Sequence, residues 1–249
     1  MEEQIKKLED MSLNAWPSHQ MELYDGWILR FSYFYTHRTN SVEQFGTSTL
    51  PWREKIPYCE SVYRRWGTPA IFKISPLVSK DFDYVLENRG YEIQHVTNVM
   101  TVDLNQADLS CPRPDTEVKA RIPSYWIEGL LNLKKTTNET HRLIVPSMYR
   151  AIPKDTICVC IYRNDAIIGT GLGILDRDYV GVYAIHVHED FRRQGLARQI
   201  CTCILSEGRK AGAAHAYLQV TADNERACRL YTSLGFSPLY TYFFRVRQV

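Results

Sequence analysis

Apolar side chains in the first 104 residues alternate between the spacing of strands and the spacing of helices. An aromatic, apolar run follows Gly26, and between residues 54 and 66 apolar side chains recur every three or four positions. Pro57 is expected in the first turn of that helix, where its missing N–H does no harm. The pattern predicts a strand over 27–31, a helix over 54–66, a strand over 70–74, a helix over 81–88 and a strand or hairpin over 91–104. This order indicates an α/β layer.

In the second half, apolar side chains again recur at both strand and helix spacing. Ser124 is predicted to cap a helix that runs to about residue 135, and residues 136–153, with two prolines, are predicted to be irregular or weakly helical. The later segments predict strands over 156–162, 166–175, 180–187, 216–220 and 239–247, and helices over 196–210 and 226–234.

Residues 108–115 contain two prolines and little to bury, which favours a linker. We therefore expect two domains, residues 1–110 and residues 111–249.

Composition places the chain among ordinary folded proteins. Of its 249 residues, 45% are hydrophobic and 23% charged, and no apolar run approaches the roughly 20 residues that cross a bilayer. The charged N-terminus does not resemble a secretory leader. Seven cysteines are an odd number in a chain long enough to build its own core, so we expect a reduced, cytoplasmic protein.

Charge is distributed unevenly between the halves. Residues 1–110 hold 11 basic and 15 acidic side chains, a net −4, whereas residues 111–249 carry a net +6. An anionic ligand is therefore expected in the second half.

The most informative segment joins the strand ending at Val187 to the helix beginning near Leu196. It contains Arg192, Arg193 and Arg198 around the small residues Gly195 and Ala197. The first N–H groups of a helix lack partners within it, and the helix dipole is positive there, so a diphosphate suits this turn. Taken alone, the turn could equally be a solvated basic cap on a core helix.

Further residues identify a resemblance. Arg192-x-x-Gly195-x-Ala197 resembles the acyl-coenzyme A signature Gln/Arg-x-x-Gly-x-Gly/Ala of the GNAT acetyltransferases. The family's later features follow in order: residues 216–220 as a strand, Asn224, Tyr231 and the pair Gly235-Phe236. The match covers residues 180–242 and plausibly extends from residue 118 to the C-terminus.

The resemblance implies a fold. It is a mixed α+β sheet, mostly antiparallel, with a splayed parallel strand pair flanked by helices. Gly26-Trp27 and residues 38–42 suggest that a degenerate GNAT-like copy precedes the active one. Nothing between residues 31 and 54 reproduces the arginine-rich turn, so we expect that the first copy does not bind coenzyme A in the usual way.

The resemblance also implies site residues. The backbone of Ile185, His186 and Val187 would hold the pantetheine arm and acyl carbonyl of acetyl-CoA. The diphosphate would be bound by the turn, namely Arg192, Arg193, Gln194, Gly195, Leu196, Ala197 and Arg198. Asn224 would bind the cofactor or cap the following helix, two compatible roles. Tyr231 falls where the family has the tyrosine that protonates the departing thiolate, a role for which a phenol is suited. The alternative for Tyr231 is a core aromatic.

The general base is where the sequence departs from the family. The two usual positions hold Gly181 and Gln219, neither of which accepts a proton usefully. His186 is the nearest titratable substitute, with Tyr183 and His188 behind it. Because side chains alternate along a strand, only one of His186 and Val187 can face the cleft. Without a base, the enzyme would depend on water or on an acceptor amine of low pKa.

Three other signals have modest weight. Cys158 and Cys160 lie on a strand whereas Cys201 and Cys203 lie on a helix, so buried free thiols are favoured over a zinc site, and no metal is expected. The aromatic residues of the last strand, Tyr240, Tyr242, Phe243 and Phe244, suit a substrate pocket, packing between the domains or a dimer contact. Residues 141–153, with His141, Arg142 and Arg150, lie where similar proteins select the acceptor.

The resemblance as a whole implies an acetyl-CoA-dependent N-acetyltransferase that transfers acetyl to a primary amine by direct attack in a ternary complex. The alternatives are a non-catalytic acyl-CoA-binding module and an acetyltransferase for a peptide or protein N-terminus. The expected partners are a small-molecule amine or a peptide acceptor, without nucleic acid or membrane, in a monomer or homodimer.

Overall fold

The computed structural model describes residues 1–105, 109 and 115–247. The predicted linker at 108–115 lies almost wholly outside the described residues, so the domain boundary stays a prediction.

Seven helices and eleven strands make up the described parts of the chain. The helices are α1 (Glu2–Ala15), α2 (Trp52–Arg65), α3 (Lys80–Asn88), α4 (Ser124–Leu133), α5 (Glu139–Arg150), α6 (Leu196–Lys210) and α7 (Glu225–Thr232). The strands are β1 (Gln20–Tyr24), β2 (Trp27–Phe31), β3 (Val42–Gln44), β4 (Ile71–Ile74), β5 (Glu92–Asp103), β6 (Thr116–Lys119), β7 (Thr156–Arg163), β8 (Ala166–Asp176), β9 (Tyr179–Val187), β10 (His215–Thr221) and β11 (Ser237–Val246). The expected mixed α/β class is confirmed.

All eleven strands belong to one sheet, in the order β1-β2-β3-β4-β11-β5-β10-β9-β8-β7-β6. The pairs are antiparallel except β3 with β4 and β9 with β10, which are parallel. A hairpin, a strand, a helix and a parallel strand recur in both halves, as β1-β2-β3-α2-β4 and β7-β8-β9-α6-β10.

The last strand of each half pairs with the other half. Strand β5 is antiparallel to β10, and β11 is antiparallel to β4, with β5 and β11 paired between them. Each half therefore completes its sheet with a strand from the other.

Helix α1 lies across this junction; it was not predicted, although Ile5, Leu8, Met11 and Ala15 recur at helical spacing. It buries Ile5, Leu8 and Met11 in a cluster that includes Tyr242. The carboxylate of Glu9 accepts a hydrogen bond from the Tyr240 hydroxyl at 2.6 Å and from Lys73 Nζ at 2.6 Å, which ties the helix to β11 and β4.

Several predictions about local structure are corrected. Helix α2 begins at Trp52, so Pro57 lies in its second turn, where proline removes a hydrogen bond within the helix. Ser124 is the first residue of α4 and does not cap it; Pro123 precedes it. The segment 136–153, predicted to be irregular or weakly helical, contains the 12-residue helix α5, whose cap is Asn138, with its side chain accepting from His141 N at 2.9 Å.

Across the described residues, no helix combines the length and apolar character needed to span a bilayer.

Packing of α1 on the sheet predicts a stability difference between two leucines. Leu8 is 1% exposed in the α1 interface, and Leu143 on α5 is 79% exposed. Leu8→Ala should lower the free energy of unfolding by about 2–5 kcal/mol through lost burial and the cavity it leaves. Leu143→Ala, the matched control, should change it little. Urea denaturation followed by fluorescence measures both, and equal midpoints for the two variants would contradict this packing.

Candidate active site

The parallel strands β9 and β10 separate where the site begins. Their pairing runs from Tyr179 with His215 to Val182 with Leu218 and then ends, while β9 continues to Val187 beside β8. A gap therefore opens between two parallel strands, which confirms the predicted splayed pair.

A bulge in β9 lies at this gap. Thr170 of β8 pairs with His186 whereas Leu172 pairs with Tyr183, so β9 has one more residue than β8 over this interval. Ala184 takes a φ of 51°, which is unusual for a residue with a Cβ, and its carbonyl accepts from the Thr170 hydroxyl at 3.2 Å. The bulge redirects the backbone of residues 184–187, where the acyl group is expected.

The turn after β9 presents unpaired amides. Arg193 and Gly195 have φ values of 63° and 81°, and α6 starts immediately afterwards. The N–H groups of residues 193–198 donate to no other residue within the described ranges. A Cβ on Gly195 would meet no atom within 4 Å, so the space over the turn is open.

Arginines surround these amides and differ in what they contact. Arg192 Nε donates to the Val187 carbonyl at 3.2 Å, and Arg198 donates to the Ser233 carbonyl at 3.4 Å. Arg193 is exposed and has no side-chain partner in the parts of the chain that the structure describes. Six amides, the positive end of a 15-residue helix and a free arginine make a site for a phosphate anion.

The equivalent turn of the first half is occupied by the protein's own carboxylate. Thr49 and Leu50 lie in the turn between β3 and α2, and their N–H groups donate to the Asp25 carboxylate at 2.8 and 2.9 Å. Lys55 Nζ lies 3.0 Å from the same carboxylate. The backbone hydrogen bonds to Leu50 and Thr49 lower the pKa of Asp25 well below its usual value. This turn supports the expectation that the first copy does not bind coenzyme A in the usual way.

A cleft of about 270 Å³ lies beside the parted strands. Of the predicted residues, the structure brings together here Ile185, His186, Asn224 and Tyr231. Val187 and the turn 192–198 are not among the described residues that line this cleft. Of the pair on β9, His186 is thus the one that lines the cleft.

Tyr231 and Asn224 come from α7 and its cap. Asn224 Oδ1 accepts from Ala227 N at 3.1 Å, so its capping role is present. Tyr231 is half-buried against the core, 6.1 Å from the Phe236 ring, and its hydroxyl bonds to no described residue. Burial raises the pKa of Tyr231 well above its usual value, so its hydroxyl remains protonated at neutral pH.

His186 is neutral at pH 7. Burial first, and then the charges of Lys134 and Arg192, lower the pKa of His186 below its usual 6.5. The two residues behind it have other contacts. The Tyr183 hydroxyl lies 2.6 Å from that of Tyr217, and His188 is half-buried, with its Nδ1 accepting from Asp190 N at 3.4 Å.

The two positions that usually supply a base are filled by other interactions. A Cβ on Gly181 would lie 2.6 Å from the Tyr183 ring and 2.8 Å from the Tyr217 ring, which leaves no room for a side chain. Gln219 Oε1 accepts from the Tyr242 hydroxyl at 2.9 Å and from Arg38 at 3.2 Å. The described lining of the cleft includes no carboxylate.

Residues of the first half complete the cleft, and sequence analysis did not assign them to it. Trp16, Tyr35, Thr36 and Arg38 form the wall facing β9 and β10. Residues 38–42 are part of the resemblance of the first half to the family. Their polar side chains, which the structure buries, were the available signal for a site at this position. Asn40 Oδ1, for example, accepts from Ser32 N at 2.7 Å. Polar residues buried in a run indicate a fixed turn, but not which surface the turn faces.

Residues 141–153, which were expected to select the acceptor, contribute to the cleft through a residue that was not predicted. His141 contacts the Tyr33 carbonyl at 2.9 Å, Arg142 pairs with Glu128, and Arg150 donates to Ser124 Oγ at 3.3 Å. None of these three side chains lines the described cleft, whereas Tyr149 of the same helix does.

The aromatic last strand and the cysteines are core residues. Tyr240, Tyr242 and Phe244 are buried under α1, in the junction between the halves. Phe243 packs against the core of the first half. The cysteines of the two predicted pairs are buried, Cys158 and Cys160 in one cluster and Cys201 and Cys203 in another, and Cys158, Cys160 and Cys201 are free thiols. Burial raises the pKa of Cys201 to about 12, which keeps this thiol protonated.

Parted parallel strands, a bulged strand and a turn of free amides together define a GNAT acyltransferase. A family model described as "Probable histone acetyltransferase Rv0428c C-terminal" matches residues 3–244, and the chain belongs to this family. The expected GNAT resemblance and the expected acyltransferase class are confirmed.

Individual relatives and solved structures resemble most or all of this chain. The chain is 25% identical over 248 residues to the uncharacterized N-acetyltransferase YobR of Bacillus subtilis (strain 168), covering 98% of this chain and 99% of the relative. A GCN5-related N-acetyltransferase from Kribbella flavida has a TM-score of 0.69 at 15% identity, covering 99% of this chain and 95% of that one. A tandem GNAT protein from the clavulanic acid biosynthesis pathway has a TM-score of 0.64 at 11% identity, covering 83% and 74%. These structures share the fold.

The surroundings of His186 predict how its pKa responds to nearby charge. Lys134→Gln should raise the pKa of His186 because it removes a nearby positive charge, yet leave it below 6.5 because burial is the larger cause. Lys135→Gln is the control, since Lys135 pairs with Glu189 at 2.8 Å. NMR titration of the imidazole measures the pKa in each protein. A pKa unchanged by Lys134→Gln, or raised as much by Lys135→Gln, would show that the environment of His186 is misassigned.

Proposed function

We propose that this enzyme transfers an acetyl group from acetyl-CoA to a primary amine of a small molecule, by direct attack while both substrates are bound. The observation that carries the proposal is the set of unpaired N–H groups at residues 193–198, in the turn that follows the parted strand β9. Membership of the GNAT family supports the reaction class.

The residues present suit acetyl-CoA, which supplies an acyl group activated as a thioester when bound. The free amides of the turn and the Arg193 side chain would hold the diphosphate by charge-assisted hydrogen bonds, while Arg192 and Arg198 fix the turn. The backbone at Ile185, His186 and Val187 would hold the pantetheine arm along the gap. Asn224 caps α7, so its contact with the cofactor would use the remaining polar atoms of its amide.

Tyr231 would act as the general acid. Its side chain lines the cleft, its hydroxyl has no described partner, and its raised pKa keeps the hydroxyl protonated until the thiolate departs. The Tyr231 proton then moves to the sulfur as the new amide bond forms and the carbon–sulfur bond breaks.

The attacking amine must be neutral, and two features of the cleft favour that form. His186 is neutral at pH 7, so its imidazole would accept the amine proton. Arg38 and Lys134 also line the cleft, and positive charges without a carboxylate disfavour an ammonium beside them. The unprotonated imidazole leaves a site that can take the proton, and the positive charges lower the pKa of the amine, so the acceptor can lose its proton without a glutamate base.

We also propose a reducing compartment, the cytoplasm, for this activity. The free thiols of the described cysteines support it. The choice between monomer and homodimer stays open as a prediction.

The acid role predicts the effect of removing one hydroxyl. Tyr231→Phe should lower the rate of thiol release from acetyl-CoA by about 10²–10⁴-fold, because the leaving thiolate loses its proton donor. Tyr84→Phe is the matched control, since Tyr84 is 64% exposed on α3. The assay measures free thiol against a panel of amines and peptides. Full activity of Tyr231→Phe would remove Tyr231 from the mechanism, and acetylation of peptides alone would favour the N-terminal acetyltransferase instead.

The diphosphate role of the turn is tested by removing a single N–H. Ala197→Pro deletes an amide that the helix does not use, at the second residue of α6, where proline is tolerated. Loss of one hydrogen bond to a charged group should weaken acetyl-CoA binding about tenfold or more. Ala197→Ser keeps the N–H and should bind within about twofold of wild type. Calorimetry gives the affinities and thermal unfolding checks the fold; equal affinity of the two variants would rule the amide out.

A further inference from the structure

The wall of the cleft that faces the proposed acyl site is positively charged. Arg38, from the first half, and Lys134, from the end of α4, both line it, and the described lining includes no aspartate or glutamate. These cations lie in the cleft itself, apart from the arginines of the diphosphate turn. The turn's ligand therefore does not account for them.

Arg38 is fixed in place but not neutralised. Its NH1 donates to Gln219 Oε1 at 3.2 Å, and Gln219 is itself held by the Tyr242 hydroxyl at 2.9 Å. The Arg38 carbonyl accepts from the guanidinium of Arg30 at 2.6 Å, which anchors the backbone. Within the described residues, the Arg38 guanidinium forms no ion pair, and the residues that line the cleft with it include no carboxylate. Four of its five N–H donors remain available, in the fork geometry that matches a carboxylate.

Other arginines in this protein show what a structural role looks like here. Arg30 is buried and pairs with Glu43 at 3.3 Å. Arg245 is buried and pairs with both oxygens of Asp83, at 2.7 and 3.2 Å. Arg38 is the half-buried arginine of the described cleft lining, and it faces the cavity without such a partner.

We propose that Arg38 binds a carboxylate of the acceptor, so that the enzyme acts on primary amines that also carry a carboxylate, as amino acids do. This inference rests on the proposed function. Gln219, which orients Arg38, belongs to β10, the strand that parts from β9 at the acyl site. A carboxylate on Arg38 therefore anchors the acceptor at β10, in the same cleft that Tyr231 and His186 line.

The rest of this wall suits the body of such an acceptor. Trp16 packs against Tyr149 with ring centroids 4.7 Å apart, and against Tyr35 at 6.3 Å. Lys134 Nζ donates to the Tyr35 hydroxyl at 2.6 Å and adds a second positive charge beside these rings. An apolar side chain would lie on the rings while the carboxylate is held by the cations.

The test compares amino acids with the amines that lack their carboxylate. The pairs are L-phenylalanine with phenethylamine, L-tryptophan with tryptamine and L-leucine with isopentylamine. Calorimetry with free coenzyme A present measures binding without turnover, and thiol release from acetyl-CoA measures catalysis. Wild type should bind the carboxylate member of at least one pair about 10–100-fold more tightly, the range expected of a hydrogen-bonded charge.

Three variants separate recognition from folding. Arg38→Gln should abolish the preference for the carboxylate member, and Arg38→Lys should retain part of it, since it keeps the charge but not the fork. Arg177→Gln is the control, because Arg177 pairs with Asp10 at 3.5 Å and is not among the described residues that line the cleft. The Arg177→Gln variant should show the same preference as wild type. Thermal unfolding and coenzyme A affinity confirm that each variant is folded.

Each outcome bears on a different claim. Equal binding of both members of every pair by wild type, or an unchanged preference in Arg38→Gln, overturns the carboxylate site. A preference that Arg38→Gln removes supports it. If that preference is found but no thiol is released, the carboxylate site stands and the proposed acetyl transfer fails. If thiol is released equally well with both members of every pair, the proposed acetyl transfer stands and the carboxylate site fails.

Discussion

The exchange of terminal strands between the two halves is the constraint on which the rest of the structure depends. Because β5 pairs with β10 and β11 with β4, neither half completes its sheet alone. The same exchange sets one surface of the first half against the opening between β9 and β10. A contact such as that of Arg38 with Gln219, 181 positions apart, follows from this pairing. The cleft is thus a product of the junction, with the acyl side from one half and the facing wall from the other.

Comparison of the two halves explains why one turn is suited to a ligand and the other is not. Both place a strand, a turn and a helix in the same order, and both helices begin with N–H groups that need acceptors. In the first half, the Asp25 carboxylate accepts from Thr49 and Leu50 and so satisfies the turn internally. In the second half, no described group takes that place at residues 193–198. A free set of donors is costly to bury but inexpensive at an exposed surface, where water or an anion satisfies it.

Sequence patterns located most elements because periodicity reports burial on one face of a strand or helix. They failed where the partner surface, not the local sequence, decides. Helix α1 buries Leu8 and Met11 against strands from both halves; their spacing indicates an apolar helix face, but not the surface that this face covers. Helix α5 contains Pro146, a residue that normally ends a helix, and persists because Ile144, Val145 and Met148 pack into a core with α4. The bulge at Ala184 likewise depends on register with β8, a property of two strands.

The sequence by itself determined the chemistry of the turn and the family. Gly195, the arginines around it and Tyr231 sit at spacings that follow from local geometry, since a strand, a turn and a helix N-terminus are adjacent in the chain. Tertiary structure decided everything that requires distant segments to meet. It placed His186 in the cleft, filled the space at Gly181 with two tyrosine rings, and brought Arg38 of the first half into the same cleft as Tyr231. The physical reason is that local hydrogen bonding is encoded within a few residues, whereas a cleft between halves exists only once strands far apart in sequence have paired.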